Sequence, residues 1–153
     1  MNLNKLLTSR TFISVATADL KGQPNAAPKF ILSADDKFVY LADYTCGVTW
    51  DNLQRNPRIS MSLSDINELK GYKINGAVEI IKDGPRYAEL AKIFEERKVA
   101  LSVERVISGV QKQKKHKSFE LGIPASFVVF KVKIEEVVEI NPKGEVRRTT
   151  VEK

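Results

Sequence analysis

The chain has 153 residues, of which 42% are apolar, enough to build the core of one ordinary domain and too many for a disordered chain. Its formal charge of +6 points to an anionic partner such as a phosphate, a nucleotide or nucleic acid. A single cysteine, Cys46, excludes an internal disulfide and agrees with a reducing compartment, and one distant histidine, His116, does not make a metal site with it.

The opening MNLNKLLTSR lacks the apolar stretch of a signal peptide, and no apolar run is long enough to span a bilayer, so a cytoplasmic chain is expected. Residues 12–19 (FISVATAD) predict a first strand, and Gly22 and Pro24 a turn. Residues 25–32 and 38–42 predict a second and third strand around the ADDK turn, hence an antiparallel meander. Thr49 can cap a short helix over residues 50–55, and Pro57 forces Asn56 out of the helical region. Ile59, Met61 and Leu63 then alternate with Ser60, Ser62 and Ser64, the period of a half-buried strand. A long strand over residues 72–81 contains Gly76, which marks a bulge, a barrel corner or a close approach.

Asp83-Gly84-Pro85 predicts a helix start. Tyr87, Leu90, Ala91 and Phe94 define one amphipathic helix. Val103, Val106, Ile107 and Val110 define a second, with Ser102 as its cap. That second helix leads into the basic run Lys112–Lys117, a solvated helix end or an anion footprint. Residues 127–140 predict a last strand whose pattern is interrupted at Glu136, which a bulge near Glu135-Glu136 restores. The polar remainder predicts a tail.

These elements predict a mainly β fold: a six-stranded antiparallel split barrel with a helix pair inserted before the last strand. One domain covers residues 1–153, with a barrel core at 1–83, inserted helices at 84–125, the closing strand at 126–140 and the tail at 141–153. A small barrel has little room inside, so a ligand is expected outside it or at a subunit interface. The chain contains no GxGxxG, GxxxxGK[ST], HExxH or GxSxG motif, and adjacent carboxylates point in different directions. No catalytic side chain and no metal site is predicted; any redox chemistry falls to a cofactor.

FISVATADLKGQPNAAPKFIL, FVYLADYTCGVTWDNLQRNPRISMSL and GYKINGAVEIIKDG together resemble the pyridoxamine 5′-phosphate oxidase-like family of FMN-binding split barrels. The resemblance covers roughly residues 7–83, with 127–140 as the closing strand. It implies a homodimer with two FMN sites at the subunit interface. It also implies an oxidoreductase that transfers hydride or electrons between the flavin, NAD(P)H or another donor, and a small-molecule acceptor. Carried over by position, it places Ala27, Pro28 and Lys29 beside the ring and ribityl chain. Ala42, Asp43, Tyr44 and Thr45 would lead from ring to phosphate. Val48, Thr49, Trp50 and Asn52 would lie at the phosphate end, and Ser62 on the facing strand.

Each residue also has a plainer role: Thr49 as a cap, Trp50 as core, Asn52 in a local hydrogen bond, Lys29 as a solvated cation. Residues 44–50 hold no basic side chain, so a phosphate needs compensation from Lys29, Arg55, Arg58 or the Lys112–Lys117 run, from either subunit. The alternatives are a deazaflavin or haem in the same fold, with His116 as an axial ligand to the haem, or a basic barrel for nucleic acid. The strands lack the interleaved aromatic and basic residues that stack bases, which weighs against the last. The vitamin-pathway oxidase itself is not expected, because the chain ends in GEVRRTTVEK and carries inserted helices.

Overall fold

The computed structural model describes residues 3–112 and 123–151. Helix α1 (Leu3–Thr8) leads into β1 (Phe12–Ala18), β2 (Pro24–Ala34) and β3 (Phe38–Tyr44). Then come α2 (Val48–Arg55), β4 (Arg58–Asp65), β5 (Lys70–Ile81), α3 (Gly84–Gln111), β6 (Phe127–Ile140) and β7 (Val146–Thr150). The strands run in the order β3-β2-β1-β4-β5-β6-β7, and an added β3–β6 pairing closes six of them into an antiparallel barrel. The six predicted strands are all present, and both first hairpins form as the turns demand: the Asp19 carboxylate accepts the amides of Lys21 and Gln23, and Asp35 those of Lys37 and Phe38.

Alternation along each strand sends one set of side chains inward. Ile13, Val15, Ile31, Val39, Leu41, Ile59, Met61, Ile74, Val128, Phe130, Val132 and Ile134 fill the barrel, and Leu53 and Trp50 of α2 pack with them. The barrel thus has no room for a ligand inside. The other face of β2, β3 and β6 presents Phe30, Leu32, Tyr40, Ala42, Phe127 and Val129, which Leu90 and Phe94 of α3 cover.

The interruption in the last strand is a bulge. Asn75 pairs with Glu136 but Gly76 pairs with Ile134, so Glu135 is the extra residue. Gly76 serves that bulge: a Cβ there would lie 2.2 Å from the Lys133 carbonyl oxygen.

Four expectations change. The two amphipathic patterns lie on one continuous helix, α3, because Ser102 does not cap; its hydroxyl bonds back to the Lys98 carbonyl at 2.8 Å. Thr49 does not cap α2 either. Gly47 does, with φ 87, and Thr49 lies within the helix. The polar tail contains β7, which pairs with β6 from Glu136 to Ile140 beyond the point where β3 ends. Helix α1, which was not expected, buries Leu6 and Leu7. Pro57 acts as predicted: Asn56 is extended, at φ −130 and ψ 93. His116 and residues 113–117 of the basic run lie outside the described residues.

Candidate functional site

A groove of about 580 Å³ opens on the outside of the barrel, within the usual range for a small-molecule site. Its floor is the outer face of β2 and β3, with Pro28, Phe30, Ala42 and Tyr44. One wall is α3, with Phe94, Lys98, Leu101 and Arg105, and exposed Phe12 of β1 stands at the edge. The register that places Phe30 opposite Ala42 makes this floor continuous across the two strands.

The wall is rigid because its aromatics lock one another. Phe94 stacks on Phe127 with centroids 5.0 Å apart and planes 10° apart, and meets Phe30 edge-on at 5.2 Å. Phe12 meets Phe30 edge-on at 5.5 Å. Lys98 and Arg105 add positive charge along an otherwise apolar lining. Burial is the main cause that raises the Tyr44 phenol above its ordinary value, with Asp43 and then Cys46 adding to it. The phenol therefore keeps its proton at neutral pH and can donate a hydrogen bond.

The predicted residues fall into three groups. Pro28, Lys29, Ala42, Asp43 and Tyr44 come together at the groove. Lys29 and Asp43 also contact each other, with Nζ 2.8 Å from Oδ2 and their side chains only 13% and 7% exposed. The charge of Lys29 is thus already balanced by a neighbour on the next strand. Ala27, half-buried, sits one residue further along β2 opposite Val15.

The second group surrounds α2. Thr45 and Val48 are exposed, and the Thr45 amide donates to the Ser126 carbonyl at 2.8 Å. Thr49, Trp50 and Asn52 turn inward. Asn25 Nδ2 donates to the Thr49 hydroxyl at 3.2 Å, and Asn52 Nδ2 donates to the Thr17 hydroxyl at 3.1 Å. Trp50 belongs to the barrel core, with the Lys82 ammonium 4.8 Å above its ring. Their side chains close the end of the barrel, and what α2 offers outward is its first backbone amides.

The third group is Ser62 alone. It is exposed on β4 opposite Ser14, on an outer face of β1 and β4 made of Ser14, Ala16, Ser62 and Ser64; that face adjoins the groove floor where Ser14 pairs with Pro28, but Ser62 itself does not line the groove. Of the other basic candidates, Arg58 pairs with Glu135 at 2.6 Å and Arg55 ends α2.

The α3 wall was not expected in the site. Its signal was present, since Leu90, Phe94, Leu101 and Arg105 continue one helical face. Reading a break at Ser102 hid it.

A planar apolar floor, an aromatic wall and two cations fit a flat ring system with an anionic tail, which is the chemistry of a flavin nucleotide.

A family model described as "Pyridoxamine 5'-phosphate oxidase" matches residues 2–141. Among solved structures, HupZ of Group A Streptococcus is similar at 26% identity and a TM-score of 0.64, covering 93% of this chain and 94% of that one. A pyridoxamine 5′-phosphate oxidase-related, FMN-binding protein from Nostoc punctiforme shares the fold at 13% identity and a TM-score of 0.59, covering 98% and 92%. An F420 reductase shares it at 18% identity and a TM-score of 0.58, covering 90% and 97%. No curated protein matches.

Proposed function

The chain belongs to the pyridoxamine 5′-phosphate oxidase family, and on that premise we propose that it holds FMN in the groove between β2, β3 and α3 and serves hydride or electron transfer. The observation that carries this reading is the groove itself: a flat apolar floor beside an aromatic wall that presents Lys98 and Arg105. A bound flavin supplies a ring that accepts and returns hydride or single electrons. The protein's part is to place and shield it.

Pro28 and Ala42 have small side chains, so the ring can lie close to the strand backbones. Phe94, Leu101 and Phe30 exclude water from one edge. The protonated Tyr44 phenol offers a donor to the ring's polar edge. For the phosphate we look to Lys98 and Arg105, whose positive charge lines the groove, and to the first amides of α2. A second copy would sit against the uncovered β1–β4 face and bring its Ser62 towards the flavin, which makes the assembly a homodimer.

A deazaflavin has the same flat ring and anionic tail, and the F420 reductase fold keeps it as the second reading. The test is uptake. The purified protein should be yellow or should bind added FMN with quenching of flavin fluorescence. The K98E/R105E variant should bind at least about tenfold more weakly, since two charge-assisted contacts are reversed in sign. Uptake of F420 in preference to FMN moves the assignment to the deazaflavin. A colourless protein that takes up neither sinks both.

A further inference from the structure

We propose that a second pocket, beside the groove and between the start of β1 and α3, binds a small organic monocarboxylate, with its carboxylate on Arg10 and Arg97 and its apolar body against Phe30 and Leu101. The pocket has a volume of about 290 Å³ and shares those two apolar residues with the groove as a common wall. On α3 it is lined by Arg97, Ala100, Leu101 and Glu104, a spacing that puts all four on one face of the helix. The segment between α1 and β1 supplies the opposite side, with Arg10 and Thr11.

Backbone carbonyls hold both guanidinium groups in place. The Ile31 amide donates to the Thr11 carbonyl at 2.9 Å, and the Ile31 carbonyl accepts from Arg97 Nη1. Arg97 also lies over the Phe30 ring, 5.8 Å from its centroid. Arg10 Nη2 donates to the Ser64 carbonyl at 2.7 Å. Each of these anchors takes up one N–H of a group that carries five. Both arginines are half-buried, yet neither makes an ion pair among the described residues. A charge withdrawn from water is stabilised by an opposite charge, and a guanidinium already fixed in orientation meets a carboxylate through two parallel N–H bonds with little further loss of freedom. The half-buried Thr11 hydroxyl is a further donor at the same side. Thr8 and Ser9 direct their hydroxyl protons back to carbonyls of α1, at 2.9 and 2.8 Å.

Charge selects the class of anion. Two guanidinium groups and the exposed carboxylate of Glu104 leave a single positive charge in the pocket, the complement of a monoanion. A phosphate dianion brings one charge too many and faces Glu104 as well. The apolar wall selects the rest of the ligand. Phe30 and Leu101 stand between the pocket and the groove, so a hydrocarbon or aromatic body attached to the carboxylate packs on them and points towards the groove. The two arginines are distinct from Lys98 and Arg105, which line the groove itself, so the site goes beyond the flavin reading and does not depend on it.

The test titrates benzoate into the full, nitrogen-15-labelled chain and follows the NMR amide signals. Benzoate should shift the signals of Arg10, Thr11 and residues 97–104 saturably. Benzamide, its neutral counterpart, should bind at least about tenfold more weakly, since it lacks the charge that the arginines meet. R97Q, checked for an unchanged circular dichroism spectrum, should weaken benzoate by at least about tenfold. E104Q should tighten benzoate by about threefold, a gain that a misfolded chain cannot give. Benzamide binding as well as benzoate, R97Q binding like wild type, E104Q failing to bind more tightly, or phenyl phosphate binding more tightly than benzoate overturns the proposal. FMN uptake is read separately. R97Q should keep it at the wild-type level, and its loss in R97Q hands the pocket to the cofactor's phosphate and overturns the proposal. Benzoate binding by a chain that takes up no flavin removes only the flavin reading, and flavin uptake without benzoate binding removes only the carboxylate site.

Discussion

Lys29 and Asp43 make the clearest case at the scale of single residues. Each side chain is largely withdrawn from water, and each is neutralised by the other at 2.8 Å. Removing one leaves a buried charge with nothing opposite it, so D43A should lower stability by about 3 kcal/mol in urea unfolding. The double variant K29M/D43L removes both charges and should recover most of that loss. Asn52 acts at the same scale. Its side chain reaches Thr17 across the barrel end, and N52A should cost about 1 to 2 kcal/mol by leaving that buried hydroxyl without its donor. The segment VTWDNLQR looked in sequence like a ligand-holding stretch. Its conspicuous side chains face inward, because a helix crossing the open end of a barrel must cover that end with something apolar or hydrogen-bonded.

At the scale of elements, β5 and β6 show how a local irregularity decides a strand's course. The bulge at Glu135 lets the inward set shift from Ile134 to Val137, and Gly76 opposite it leaves room for the Lys133 carbonyl. G76A should destabilise by about 3 kcal/mol or separate the strands locally, because a backbone oxygen cannot move aside as a flexible side chain can. Beyond the bulge the β6–β7 hairpin is tied by Glu136, which accepts from Asn75 at 2.7 Å and from Arg148 at 3.1 Å. Those bonds, the Asn75 amide first, hold its carboxyl below the ordinary value of 4.5. A group lowered on folding contributes stability above its unfolded value and loses it as pH falls through the lowered one. Acidification below about pH 4.5 should therefore loosen β7, visible as shifts in the NMR amide signals of Val146–Thr150. In E136Q those signals should lose most of that pH dependence.

At the scale of the whole molecule, the barrel sets where chemistry can occur. Its interior is filled, so the groove lies outside, between strands from the N-terminal half and a helix inserted far along the chain. Among the described residues no helix is long and apolar enough to cross a membrane. L101D should leave the barrel folded, since Leu101 packs on the cluster outside the barrel and not in its interior, and should weaken flavin uptake by about tenfold, measured by fluorescence titration.

The sequence alone determined the strands, the meander, the bulge near Glu135 and the β2–β3 half of the groove. Each of these is set by local signals: period-two alternation, turn residues, a broken pattern, a recognisable order of short motifs. What the tertiary structure decided is everything that depends on distant segments meeting. It joined two helical patterns into α3, because Ser102 turns its hydroxyl back to the Lys98 carbonyl within the helix and so provides no stop. It folded the tail back as β7, because the end of β6 had a free edge once β3 stopped. It turned Trp50 and Asn52 into the barrel and brought Lys98 and Arg105 to the groove. Which way a side chain faces follows from what lies across from it, and one-dimensional spacing does not carry that.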